Sequence, residues 1–167
     1  TDYTYDVNGL ITKMEHNPAQ FVAYEYGYDL EGNIQYEKNT PKPNYSYQYS
    51  YDSLYQLINN KRGTLNASNQ ISGPSVDRNI NYDKTGNTES IDLNGTVTNY
   101  VSNLLNQYIA VGLDTPSYDL NGNMTNYQST RYVYDHKNQL DSIITPDDII
   151  SFKYDALGRR TEKKVNN

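Results

Sequence analysis

The dipeptide Tyr-Asp repeatedly closes a short run in which aromatic and polar residues alternate, and this recurrence constrains the fold more than any other feature of the chain. Its longest copy is Tyr45-Ser-Tyr-Gln-Tyr-Ser-Tyr-Asp52. Successive side chains on a strand point to opposite faces, so Tyr45, Tyr47, Tyr49 and Tyr51 are expected on one face and Ser46, Gln48, Ser50 and Asp52 on the other. Shorter copies run through Tyr3 and Tyr5, through Tyr24, Tyr26 and Tyr28, through Tyr132 and Tyr134, and through Phe152 and Tyr154. A chain that repeats one strand in this way is built from stacked copies of one small unit.

Aligned on the dipeptide, eight units emerge. They are Tyr5-Asp6 with Gly9, Tyr28-Asp29 with Gly32, Tyr51-Asp52, Tyr82-Asp83 with Gly86, a degenerate Ser102-Asn103, Tyr118-Asp119 with Gly122, Tyr134-Asp135, and Tyr154-Asp155 with Gly158. The anchor spacings of 23, 23, 31, 20, 16, 16 and 20 residues imply loops of different length on one frame. Within a unit, the Asp accepts from a backbone N–H two residues on, and the Gly or Asn three residues after it tolerates positive φ; together they make a tight reversal. The third unit, Asp52-Ser-Leu-Tyr55, has neither Gly nor Asn there and is expected to turn irregularly.

After each turn an apolar or aromatic residue stands six places beyond the anchor, as at Ile11, Ile34, Leu57 and Leu140, and in several units another stands at nine, as at Met14, Ile91 and Ile143. Six and nine differ in parity, which predicts a bulge in the returning strand. Asn17-Pro18, the Pro41 to Asn44 segment, Asn94-Gly95, Asp114 to Pro116 and Pro146 to Asp148 supply the second reversals. Residues 63–75 read as an outlying loop. No segment sustains a helical period, and Val101 to Val111 reads as a strand pair. The expected fold is all-β: an antiparallel hairpin meander of roughly fifteen strands, a curved ribbon or partial spiral, spanning residues 1–167 as one segment.

Leu, Ile, Val and Phe make up only about one fifth of the chain, close to the level at which chains fail to fold, and nineteen Tyr compensate. Tyrosine buries a ring and keeps its hydroxyl near water, which suits a thin sheet. The net charge of −6 argues against a nucleic-acid partner, since phosphate contacts need clustered basic residues. The cluster Arg159, Arg160, Lys163 and Lys164 reads as a solvated strand. There is no Cys, hence no disulfide or thiolate site, and no stretch resembling a membrane span or signal peptide. The chain starts without Met and in mid-pattern, so it is read as a fragment of a longer protein.

Tyr-Asp-Leu-Glu-Gly-Asn-Ile from Tyr28, Tyr-Asp-Leu-Asn-Gly-Asn-Met from Tyr118 and Tyr-Asp-Ala-Leu-Gly-Arg-Arg from Tyr154 resemble the repeat of the Rhs or YD-repeat family of bacterial polymorphic toxins, wall-associated proteins, toxin-complex cocoons and teneurins. The resemblance covers essentially the whole chain. It implies a β-sheet ribbon spiralling into a hollow shell, secreted or at the surface of a bacterial cell, that encloses or presents a C-terminal toxin domain. It also implies neighbouring repeats of the same parent chain as partners. Autoproteolysis in that family lies at a motif after the last repeats, which this chain does not contain, so the activity is not carried over.

Catalysis is not expected. The recurring carboxylates share one turn position, and turn capping accounts for all of them. Asp119-x-Asn-Gly-Asn is only faintly like a calcium loop, because its glycine falls at the fourth place and no Glu closes it. His16 and His136 read as loop residues without ligand partners, and no Gly-x-Ser-x-Gly elbow is present. No cofactor or metal is implied. Two rival readings remain beside the structural one: Tyr45, Tyr47 and Tyr49 as an aromatic platform for glycans on an adhesion module, and self-association through open sheet edges into a filament.

Overall fold

A computed structural model describes residues 1–16 and 22–166; Asn17-Pro18 lies outside the described residues. Almost every described segment is antiparallel strand or tight turn, and the chain divides into two compact units, Thr1–Val97 and Thr98–Asn167.

In the first unit, β1 (Asp2–Tyr5), β2 (Ile11–His16), β3 (Val22–Tyr28), β4 (Ile34–Asn39), β5 (Ser46–Tyr51), β6 (Leu57–Gly63), β7 (Val76–Tyr82) and β8 (Thr88–Leu93) lie side by side in chain order. Next in the chain, β9 (Thr96–Ser102) pairs with β10 (Tyr108–Val111). An open six-stranded sheet follows in chain order: β11 (Ser117–Tyr118), β12 (Met124–Tyr127), β13 (Thr130–Tyr134), β14 (Leu140–Ile144), β15 (Ile149–Tyr154) and β16 (Arg160–Val165). This is the antiparallel meander that the alternation predicts. No helix among the described residues is long and apolar enough to cross a membrane.

The predicted bulge is present in every hairpin that a Tyr-Asp turn closes. Thr4 faces Lys13 but Tyr5 faces Ile11, leaving Thr12 as the extra residue. The same shift separates Tyr36 from Ile34, Asn59 from Leu57, Ser142 from Leu140 and Glu162 from Arg160. One extra residue on the returning strand reconciles apolar positions six and nine, and it increases the local right-handed twist.

These are thin sheets. The buried apolar side chains among the described residues are those of Ala23, Ile71, Pro116 and Phe152, and a serine, Ser46, is buried to 1% exposure. A chain so poor in aliphatics has no thick core to build, and most sheet residues are half-buried.

Two expectations for the long aromatic copy are corrected. Tyr45 is not part of the strand: Pro43–Tyr45 form a turn of 3₁₀ helix, because Pro43 supplies a fixed φ at its start and Tyr45 N–H donates to the Lys42 carbonyl. Ser46, expected on a wet face, is enclosed because its Oγ accepts from the Asn39 backbone N–H at 3.0 Å, tying β5 to the end of β4.

Candidate functional site: the ladder of Asx turns

The chain repeats one hydrogen-bonded device. In each Tyr-Asp turn the Asp N–H donates to the carbonyl four residues on, at 2.8–3.0 Å, and the N–H three residues on donates back to the Asp carbonyl, at 3.0–3.2 Å. The Asp Oδ1 then accepts from the N–H groups two and four residues on, as in Asn8 and Leu10 on Asp6, Glu31 and Asn33 on Asp29, and Leu157 and Arg159 on Asp155. A single carboxylate oxygen thereby satisfies two donors that a reversing backbone cannot pair. Asp83, Asp119 and Asp135 make the same pair of bonds.

The residue three after the Asx is left-handed throughout: Gly9, Gly32, Gly86, Gly122 and Gly158 at φ of 79–90°, and Asn69, Asn106 and Asn138 at 56–59°. The third unit does not turn irregularly. Tyr55 adopts φ 61° and donates to the Asp52 carbonyl, while Leu54 and Gln56 donate to Asp52 Oδ1 at 2.8 and 2.9 Å. The other hydrogen bonds of the turn hold a tyrosine in a conformation that normally selects glycine.

The degenerate fifth unit turns in the same way, with Asn103 Oδ1 accepting from Leu105 and Gln107. A ninth copy lies in the supposed outlying loop. Asn66 N–H donates to the Gln70 carbonyl, Asn69 N–H to the Asn66 carbonyl, and Asn66 Oδ1 accepts from Ser68 and Gln70. Leu65-Asn66 stands there in place of the Tyr-Asp dipeptide, so the repeat pattern does not extend to it; its signature in the sequence is Asx-x-x-Asn-Gln, shared with Asn103 to Gln107.

The motif tyrosine joins one hairpin to the one before it. Its hydroxyl donates to the carbonyl of the first residue of the preceding returning strand: Tyr28 to Ile11, Tyr51 to Ile34, Tyr82 to Leu57, Tyr118 to Tyr108 and Tyr154 to Leu140, at 2.7–3.0 Å. The turns pack on each other as well. A methyl group added at Gly86, Gly122 or Gly158 would lie 3.3, 3.3 or 3.1 Å from the Nε2 of Gln56, Gln107 or Gln139 of the preceding turn. Asn121 and Asn123 both donate to Asn138 Oδ1, at 3.1 and 3.0 Å.

Hydrogen bonds hold five of the turn carboxylates in their charged form. The Asn33, Asn87 and Asn123 amides lower the Asp29, Asp83 and Asp119 carboxyls, and the Gln139 and Arg159 backbone N–H groups lower Asp135 and Asp155. Carboxylates kept ionised and saturated with donors are poor acid–base groups. Among the described residues, no group of three His, Asp or Glu side chains could hold a metal. His16 ends β2 with its Nδ1 2.9 Å from the Thr1 hydroxyl, and His136 sits at a turn tip.

Tyr47 and Tyr49 stack on each other, centroids 6.0 Å apart, while Tyr45 stands outside the strand under the Arg62 guanidinium at 5.4 Å. Between the second and third turns is a groove of about 580 Å³, lined by Asp29, Glu31, Gln35, Tyr49, Tyr51 and Tyr55 among others. Tyr134 and Asp135 close the seventh hairpin, and Arg160 of the basic cluster covers the Phe152 ring at 5.5 Å.

No protein-family model and no curated protein sequence matches the chain. Solved structures do. The chain is similar to part of the Photorhabdus luminescens Tc holotoxin pore carrying the TccC3-D651A mutation, with TM-score 0.76 and 21% identity over 97% of its length. It is equally similar to part of the TcdB2-TccC3-Cdc42 structure, with TM-score 0.76 and 21% identity. Against TcdB2-TccC3 without its hypervariable C-terminal region, the TM-score is 0.78 at 20% identity over 99% of the chain. In each case it spans about 10% of the matched chain, and what is shared at this identity is the fold: the antiparallel hairpin meander of a Tc-toxin chain segment.

Proposed function

We propose that the chain is a non-catalytic scaffold segment of a longer Rhs or YD-repeat shell, outside a bacterial cell, that encloses or presents a toxin domain. The observation that carries this reading is the recurring bond from a motif tyrosine to the hairpin before it. Each hairpin completes its neighbour's hydrogen bonding, so the unit makes sense only in a run, as expected of a repeat whose stability comes from nearest-neighbour interfaces. The exposed aliphatics at the turn tips, Val7, Leu30, Leu104 and Leu120, add support, because a surface of this kind suits burial against further repeats. The similarity to part of the TcdB2-TccC3 chains agrees with a scaffold role.

The test is limited proteolysis of the parent chain. If the repeats form a shell, a domain following them resists protease until the repeats are unfolded. Cleavage of that domain at the rate of its isolated form would overturn the reading.

A further inference from the structure

Strands β3, β4 and β5 lie side by side, and the middle one carries a carboxylate between two aromatic walls. On β3 the Tyr24 and Tyr26 rings stack at 6.3 Å and 24°; on β5 the Tyr47 and Tyr49 rings stack at 6.0 Å and 9°. Glu37 of β4 pairs with Tyr26 on one side and Tyr47 on the other. Cross-strand partners share a face, so Glu37 stands in a trough between the two stacks.

Its neighbours on the opposite face are provided for. Glu15 holds Lys13 at 2.9 Å, Glu25 holds Lys38 at 2.9 Å, and Asp77 lies 3.8 Å from Lys61. Half-buried Glu37 has no hydrogen bond or ion pair among the described residues. Arg62, one strand further on the same face, is committed to the Tyr45 ring and to Ser75 Oγ at 3.3 Å. Burial pushes the Glu37 carboxyl up, and burial with the Glu37 charge pushes the Tyr49 phenol up to about 12.

Partial burial of an unpaired carboxylate is unfavourable, and the negative faces of tyrosine rings add attraction for positive charge. The chemistry of the trough therefore suits one cation. A divalent metal needs more oxygen ligands than one carboxylate supplies. We propose that the Tyr24–Tyr26, Glu37 and Tyr47–Tyr49 cluster binds a single organic cation, a guanidinium or alkylammonium group of the kind at the end of an Arg or Lys side chain. The site follows from side-chain placement and does not depend on the scaffold reading.

The test is NMR titration of the chain with tyrosine rings labelled, using N-acetyl-arginine amide, tetramethylammonium chloride and, as neutral control, N-acetyl-glutamine amide. The expected result is saturable shifts of the Tyr26 and Tyr49 rings with a cation and none with the neutral amide. Affinity should fall at least tenfold in Glu37→Gln and stay unchanged in Glu25→Gln on the opposite face. A response to the arginine amide alone assigns the trough to a polypeptide guanidinium, whereas an equal response to tetramethylammonium extends it to free ammonium ligands; both support the site. Shifts that do not saturate, that occur equally with the neutral amide, or that survive in Glu37→Gln overturn it.

Discussion

The Tyr51 hydroxyl donates to the Ile34 carbonyl at 3.0 Å, across the boundary between two hairpins. Ile34 is the first residue of β4 and Tyr51 the last of β5, so the bond falls beside the bulge, where the strand ladder is interrupted. The β4–β5 ladder pairs Tyr36 with Gln48 and Glu37 with Tyr47 and does not extend to Ile34, so the phenol supplies a donor to a carbonyl beyond that ladder, a task aliphatic strand residues cannot perform.

Tyr51→Phe removes the donor and keeps the ring. It should cost about 1 kcal/mol, the net worth of one such bond together with the carbonyl left unsatisfied. Tyr82→Phe and Tyr154→Phe should behave alike, since their hydroxyls make the equivalent bonds. Tyr3→Phe, on an exposed edge position, should be near neutral. Urea unfolding followed by circular dichroism compares the four; equal midpoints for Tyr51→Phe and Tyr3→Phe would remove the hydroxyl bond from the account.

Among the described Asx turns, Tyr55 is the one left-handed residue that is neither Gly nor Asn, with φ 61° and the residue 60% exposed. Tyr55→Gly should stabilise the chain by about 1 kcal/mol, because the left-handed conformation costs a side chain about that much and the exposed ring returns little. The converse change, Gly86→Ala, should destabilise on two grounds: its φ of 88° and the Gln56 amide in the way. An unfolding midpoint that moves down in Tyr55→Gly would show the ring to be packed.

The hairpin meander and its bulges were legible because both are properties of spacing: Tyr5 to Ile11 and Ile11 to Met14 already carry the parity change that the register shows. The turn at Asp52 was misread because a preference for Gly at φ 61° is worth only about 1 kcal/mol, which four hydrogen bonds override. Asn66 was missed because the aromatic half of the motif is absent there, although its amide makes the same two bonds as a carboxylate. Glu37 gave no signal at all. Its importance depends on the rings of two neighbouring strands, and cross-strand register is not written in local sequence.

Acid should unfold the chain through the turns. The folded-state carboxyls of Asp29, Asp83, Asp119, Asp135 and Asp155 are lowered, so each contributes stability that is present above the unfolded value of about 3.9 and lost as pH falls through the folded one. Glu37, raised by burial, runs the other way and loses its contribution as pH rises. Thermal melts across pH should therefore fall steeply below about pH 4. Asp83→Asn should flatten part of that slope, since Asn66 and Asn103 already turn without a titrating group. A melt profile for Asp83→Asn parallel to the parent would exclude this turn from acid unfolding.

Gly63 ends β6 and is buried beneath the ninth turn, where an added methyl would lie 2.8 Å from Ile71 Cγ2 and 3.5 Å from the Pro74 backbone. Ile71 is itself buried, and its N–H donates to Gln48 Oε1 at 2.9 Å, pinning the Asn66 turn to β5. Gly63→Ala should cost about 1–3 kcal/mol by overpacking. It should also speed amide exchange at Ser68, Gln70 and Ile71, whose N–H groups this turn protects. Ile71→Ala removes the obstructing methyl, so the double variant should lose less than the sum of the two single losses, with a coupling of about 0.5 kcal/mol or more. Strict additivity would mean that residues 64–72 do not rest on Gly63, and that the ninth turn is not packed against the strands beside it.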